Sequence, residues 1–96
     1  MIDIAPKYLL IIKRILKKYV SGYEVRSFGS RITGKAKTYS DLDLVIMSEK
    51  IIDKKILYAL EEEFAESDLP FRVDILDWQA IPDSFQKIIN EKSEII

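Results

Sequence analysis

Neither cysteine nor histidine occurs in this 96-residue chain. Without cysteine there is no disulfide, no thiolate zinc site and no thiol nucleophile, and an intracellular protein is expected. Without histidine the Ser-His-Asp and Cys-His triads and every imidazole-ligated metal site are excluded. Any catalysis has to run on carboxylates, hydroxyls, lysine, arginine or a bound metal. An excess of charge of one sign is missing too: 15 basic residues face 16 acidic ones, for a formal net charge of −1. A chain that holds a long polynucleotide usually carries a basic excess, because phosphate neutralisation supplies its affinity. Such a partner is therefore not expected. No apolar run approaches the roughly 20 residues that cross a bilayer. Residues Met1 to Pro6 show neither the basic start nor the small-residue cleavage site of a secretory signal. A soluble, cytoplasmic protein without a membrane partner is the expectation.

What is present suits one small folded unit. Apolar residues make up 48% of the chain, enough for a modest core, and residues 1–96 read as a single domain. No repeat, low-complexity stretch or Pro/Gly/Ser linker interrupts it. Leu9, Ile12, Ile15, Leu16 and Tyr19 recur at helical spacing among lysines and Arg14, which predicts an amphipathic helix over Ala5 to Val20. Ser21-Gly22 ends it. Tyr23 to Phe28 reads as a strand. Gly29 to Ser40 is polar and reads as a loop or short helical turn. Asp41 to Met47 is a strongly apolar strand, and Asp53 to Glu66 is a helix with Ile56, Leu57, Leu60 and Phe64 on one face. Phe71 to Asp77 is a third strand, and Pro82 opens a last helix running to about Lys92. The order is α-β-β-α-β-α, a small sheet with helices against it, of the α/β (α+β) class. Too short for a crossover helix, the Gly29–Ser40 segment makes the first two strands antiparallel neighbours.

Asp41 and Asp43 stand two apart at a strand start, so both project to one side while Leu42, Leu44 and Ile46 face the core. Asp74 sits in the third strand with apolar neighbours. Converging carboxylates repel one another, and a divalent cation is the usual compensation; hard oxygen donors suit Mg²⁺. An Asp-x-Asp pair alone reads first as a pair of solvated strand ends, and Asp74 as a residue facing water on an edge strand. The meaning of the pair depends on what precedes it. Gly29-x₄-Gly34-Lys35 imitates most of a P-loop, but Ala36 stands where Ser or Thr should hold Mg²⁺, and no phosphate-binding helix of useful length fits before the next strand. A different use is open: Gly29 lets the backbone approach a phosphate, Ser30 offers a hydroxyl and an N–H to the same anion, and Arg31 adds a cationic fork. The plain alternative is two turn glycines, an N-cap and a surface ion pair.

Taken together, Phe28-Gly29-Ser30-Arg31, Gly34 and Ser40-Asp41-Leu42-Asp43-Leu44, with Val73-Asp74-Ile75 downstream, resemble the signature of the polymerase-β-type nucleotidyltransferase superfamily, in its minimal nucleotidyltransferase branch. The likeness covers nearly the whole chain. It implies a mixed sheet flanked by helices, with Asp41, Asp43 and Asp74 as Mg²⁺ ligands. Gly29 and Ser30 would hold the triphosphate of ATP or another NTP, assisted by Arg31. Two ions are implied, and by analogy Asp74 would help activate the acceptor hydroxyl. Members of this branch are typically encoded beside a small helical protein of the HEPN fold. In characterised pairs that protein is a toxin, often an RNase, and the nucleotidyltransferase is the antitoxin, adenylylating it on tyrosine. No motif position departs from the pattern.

Other residues carry less. Trp78 reads as a cover over the core, Lys35 and Lys37 as solvated loop, and Glu61-Glu62-Glu63 as the wet face of a helix. Whether Ile95-Ile96 adds a strand is left open by the sequence. The rivals to an AMP-transferring antitoxin are a binding-only antitoxin and an NTP-binding module without transfer. The intact Gly-Ser and three-acid set favours the enzyme, because binding alone needs none of it.

Overall fold

The computed structural model describes residues 2–37 and 39–96. Helix α1 spans Pro6–Val20; its Pro6 sits where a helix tolerates a missing N–H. Strand β1, Glu24–Phe28, follows. After it comes a single turn of helix, α2, Ser30–Thr33, then strand β2, Leu42–Met47. Helix α3, Lys54–Glu66, is capped by Asp53, whose side chain accepts from the Lys55 amide and so satisfies one of the free N–H groups of the first turn. Strand β3 is Val73–Asp77, a 3₁₀ turn covers Trp78–Ala80, helix α4 is Asp83–Glu91, and strand β4 is Glu94–Ile95.

Among the described residues these strands form one sheet in the order β3-β2-β1-β4. β1 and β2 pair antiparallel, β2 and β3 parallel through α3, and β4 adds antiparallel to β1 at Arg26 and Ser27. The sheet is therefore mixed, and the chain's last apolar residues do extend it.

Alternation decides the faces. Leu42, Leu44 and Ile46 are fully buried and join Val25, Val73 and Ile75 against Ile12, Ile15, Leu16 and Val20 of α1 and Leu60 and Phe64 of α3. The opposite face carries Phe28, Asp43 and Asp74. There α4 covers part of the sheet, with Phe85 edge-on to Phe28 at 5.7 Å between ring centres and Ile89, one turn later, fully buried. One buried carboxylate belongs to the scaffold. Asp77 accepts from the Ser48 hydroxyl, from the Ile52 amide at 2.8 Å and from the Gln79 amide at 3.1 Å. It ties the end of β3 to the loop that leaves β2.

Candidate active site

The register brings the predicted residues together. Phe28 lies directly across from Asp43, and Asp43 directly across from Asp74. Paired residues point to the same side of a sheet, so Phe28, Asp43 and Asp74 form a row over three adjacent strands. Asp41, two residues before Asp43, shares that face at the entrance to β2. The burial pattern matches: the flanking Leu42 and Leu44 are at 0% exposure, while the Asp41 and Asp74 side chains are 44% and 42% exposed.

Gly29 comes immediately after Phe28 and turns the chain with φ +81° and ψ −154°, a conformation essentially closed to residues with a Cβ. Its α-carbon faces the Asp43 carboxylate: a methyl placed there would overlap Oδ2 and lie 3.3 Å from Cγ. The glycine is thus required both by the backbone and by the acid beside it. Ser30 is the first residue of α2, and Gly29, not Ser30, occupies the cap position. The alternative in which Ser30 serves as an N-cap is not what the chain does.

Arg31 departs from expectation. Its guanidinium does not reach toward the acids. Only 5% exposed, it donates to the carbonyls of Ser40 at 2.8 Å, Asp3 at 2.8 Å and Lys37 at 3.4 Å, and stacks 4.2 Å over the Phe71 ring. The Asp3 amide in turn donates to the Arg31 carbonyl at 2.9 Å. Five donors in a rigid fork suit this work: one side chain gathers the N-terminal segment, the loop before β2 and Phe71 around α2.

Sequence reasoning passed over Arg72. It stands two residues before Asp74, as Asp41 does before Asp43, and that spacing was the available signal. Its guanidinium bridges two of the acids, with Nη2 at 3.1 Å from Asp41 Oδ2 and Nε at 3.3 Å from Asp74 Oδ1. Asp43 lies between them. Burial pushes its carboxyl above the usual carboxylate range; the charges of Asp74 and Asp41 push the same way, and Arg72 opposes them. Among the described residues no three acidic side chains already close around one point. The donor set is nonetheless all hard oxygen on one face, and a cation already sits between two of its members. Both features fit Mg²⁺.

A cleft of about 520 Å³ opens over this row. Phe28, Asp43, Arg72, Asp74, Leu76 and Phe85 line it, and it wraps round the free edge of β3 to Glu61 and Ala65 of α3. Acids and an apolar aromatic wall thus meet at one opening, and the Gly29 turn lies against one of those acids, Asp43. Among the described residues no helix is long and apolar enough to cross a membrane.

Residues 9–96 match the family described as nucleotidyltransferase domain. A Haemophilus influenzae protein named "Probable protein adenylyltransferase MntA" is 48% identical over 95 residues, covering 99% of this chain and 83% of that one. The crystal structure of a toxin-antitoxin with AMP-PNP superposes with a TM-score of 0.75 at 17% identity, over 95% of this chain and 72% of that chain. A mutant of the toxin-antitoxin MntA-HpeT does so at 0.73 and 17%, over 97% and 72%. At such identities the two structures establish the fold, while the family match and the close relative establish kinship. The chain belongs to the nucleotidyltransferase domain family.

Proposed function

We propose that this nucleotidyltransferase transfers AMP from ATP to a hydroxyl of a partner protein, and that the acceptor is a tyrosine of a small helical HEPN-type toxin. The observation that carries the reading is the close approach of Gly29 to Asp43: a turn free of side chain lies against a carboxylate that is itself in register with Asp74. In this reading the triphosphate and the metal take neighbouring places on that surface. The relative at 48% identity is named a probable protein adenylyltransferase, and the two structural neighbours described above are toxin-antitoxin structures, one with the ATP analogue AMP-PNP. The reading takes residues 1–96 as a single domain working in the cytoplasm, a compartment that the want of cysteine suits.

In this reading Asp41, Asp43 and Asp74 hold Mg²⁺, two ions when the substrate is in place. Bound there, the metal supplies positive charge to the triphosphate and acidity to the acceptor hydroxyl. Gly29 admits the triphosphate to the backbone, and Ser30 adds its hydroxyl and N–H. Arg31 holds the loop in shape and stays out of contact with the ligand. A tyrosine hydroxyl, with a pKa of about 10, is a poor nucleophile at neutral pH. Asp74, on the strand nearest the free edge, takes its proton. The acceptor oxygen then bonds to the α-phosphorus, the bond from that phosphorus to the bridging oxygen breaks, and pyrophosphate leaves.

ATP labelled separately at the α- and γ-phosphates tests this with both proteins and Mg²⁺ present. The α-label is expected on the partner and the γ-label in pyrophosphate. Label from the γ-position on the partner would make the chain a kinase and end the proposal.

A further inference from the structure

We propose that Arg72 is the resident cation of the acid row: it occupies with its guanidinium the ground a divalent ion takes, so that metal entry requires its displacement. This deepens the reading of the site given above and rests on it.

Three contacts locate the side chain. Nη2 lies 3.1 Å from Asp41 Oδ2 and 3.4 Å from Asp74 Oδ2, and Nε lies 3.3 Å from Asp74 Oδ1. The two acids it joins come from different strand segments, β3 and the residue before β2. Without a positive charge between them, Asp41, Asp43 and Asp74 would repel one another across a single face. Arginine supplies that charge at any working pH.

The hold is made to be released. The Arg72 side chain is 73% exposed, and its contacts are longer than the roughly 2.7–2.9 Å of a tight arginine–carboxylate pair. Exposed pairs of this kind contribute little and break readily. Arg31 is the contrast within the same molecule: at 5% exposure, with its head on backbone carbonyls, it has no such freedom. Arg72 also lines the cleft over the row, so its head has room to move aside into solvent. Arg72 is thus a positioning residue. It holds the acid row together, and its competition weakens binding of a bare metal ion.

The test is a Mn²⁺ titration of the full chain, read from the electron paramagnetic resonance signal of the free ion, without nucleotide. Arg72→Gln is expected to bind Mn²⁺ about three- to tenfold tighter than the wild type, the scale of one or two exposed pairs. It should also show a larger rise in Tm when Mn²⁺ is added. Arg72→Lys, with a charge but no fork, should tighten less. Arg14→Gln, on α1 across the sheet, controls for net charge and should change nothing. Equal or weaker Mn²⁺ binding by Arg72→Gln, or equal tightening by Arg14→Gln, would overturn the proposal. Binding abolished by Asp43→Asn yet untouched by Arg72→Gln leaves the metal site standing and removes the arginine from it. No Mn²⁺ binding by any form, with or without ATP, would remove the metal reading itself.

Discussion

Gly29 shows how much one missing side chain can decide. Its positive φ and the Asp43 carboxylate beside its α-carbon both exclude a Cβ. Gly29→Ala should cost on the order of 1–3 kcal/mol of stability, the scale of a forced backbone. It should also move Asp43 and depress transfer more than the loss of folded protein explains. Urea unfolding beside a rate per folded molecule separates the two. Normal turnover in the surviving fraction would show that the glycine serves only its turn. Arg31 reverses the lesson. A cation one residue after a Gly-Ser turn reads naturally as a phosphate contact, yet the carbonyls of Asp3, Lys37 and Ser40 claim it. These partners come from distant or irregular segments, so no spacing in the sequence announces them. Arg31→Lys keeps the charge and loses the fork. A stability loss of about 2–3 kcal/mol is expected, the scale of a charged hydrogen bond or two, against no change if the side chain were a solvated ligand contact.

Element by element, strands and helices were legible because their periods are clean. Leu42, Leu44 and Ile46 alternate with Asp41, Asp43 and Val45, and that alternation alone put the acids on the open face. Two things were not legible. β4 is only Glu94–Ile95 and owes its existence to the free edge of β1, which is a tertiary fact. α4 shows its spacing in the sequence but not which face it covers; the Phe28–Phe85 contact does. α1 and α3 are joined at the surface by Glu63, whose Oε1 accepts from Lys18 Nζ and from the Tyr19 hydroxyl, each at 2.7 Å. The hydrogen bond from Lys18, then that from Tyr19, holds the Glu63 carboxyl below its ordinary 4.5. The bond to Glu63 raises Lys18 above 10.5. A depressed acid stabilises above its unfolded value and loses that as pH falls through its folded one. A raised lysine stabilises below its unfolded value and loses that as pH rises. The link therefore operates between about pH 5 and pH 10. Glu63→Gln should lower Tm slightly at pH 7, as exposed pairs do, and the difference should close below the folded pKa of Glu63. A gap that does not narrow as the pH is lowered through the acid range would mean that packing, not charge, links the helices.

At the scale of the whole molecule the site depends on crossing segments far apart in the chain. β1 supplies Phe28 and the turn at Gly29, β2 supplies Asp43, β3 supplies Asp74 with Arg72 just before it, and α4 walls the cleft with Phe85. Only the parallel crossover through α3 sets Asp74 level with Asp43. The account stands or falls on whether this surface moves AMP onto a protein. The most direct measurement is the intact mass of the HEPN-type partner after incubation with the chain, ATP and Mg²⁺, beside the same reaction with Asp41→Asn/Asp43→Asn. The account predicts a gain of one or more whole AMP units, located on a tyrosine and absent with the double variant. A partner that is silenced without any gain in mass, and equally by the double variant, would contradict it: the chain would then act by binding alone.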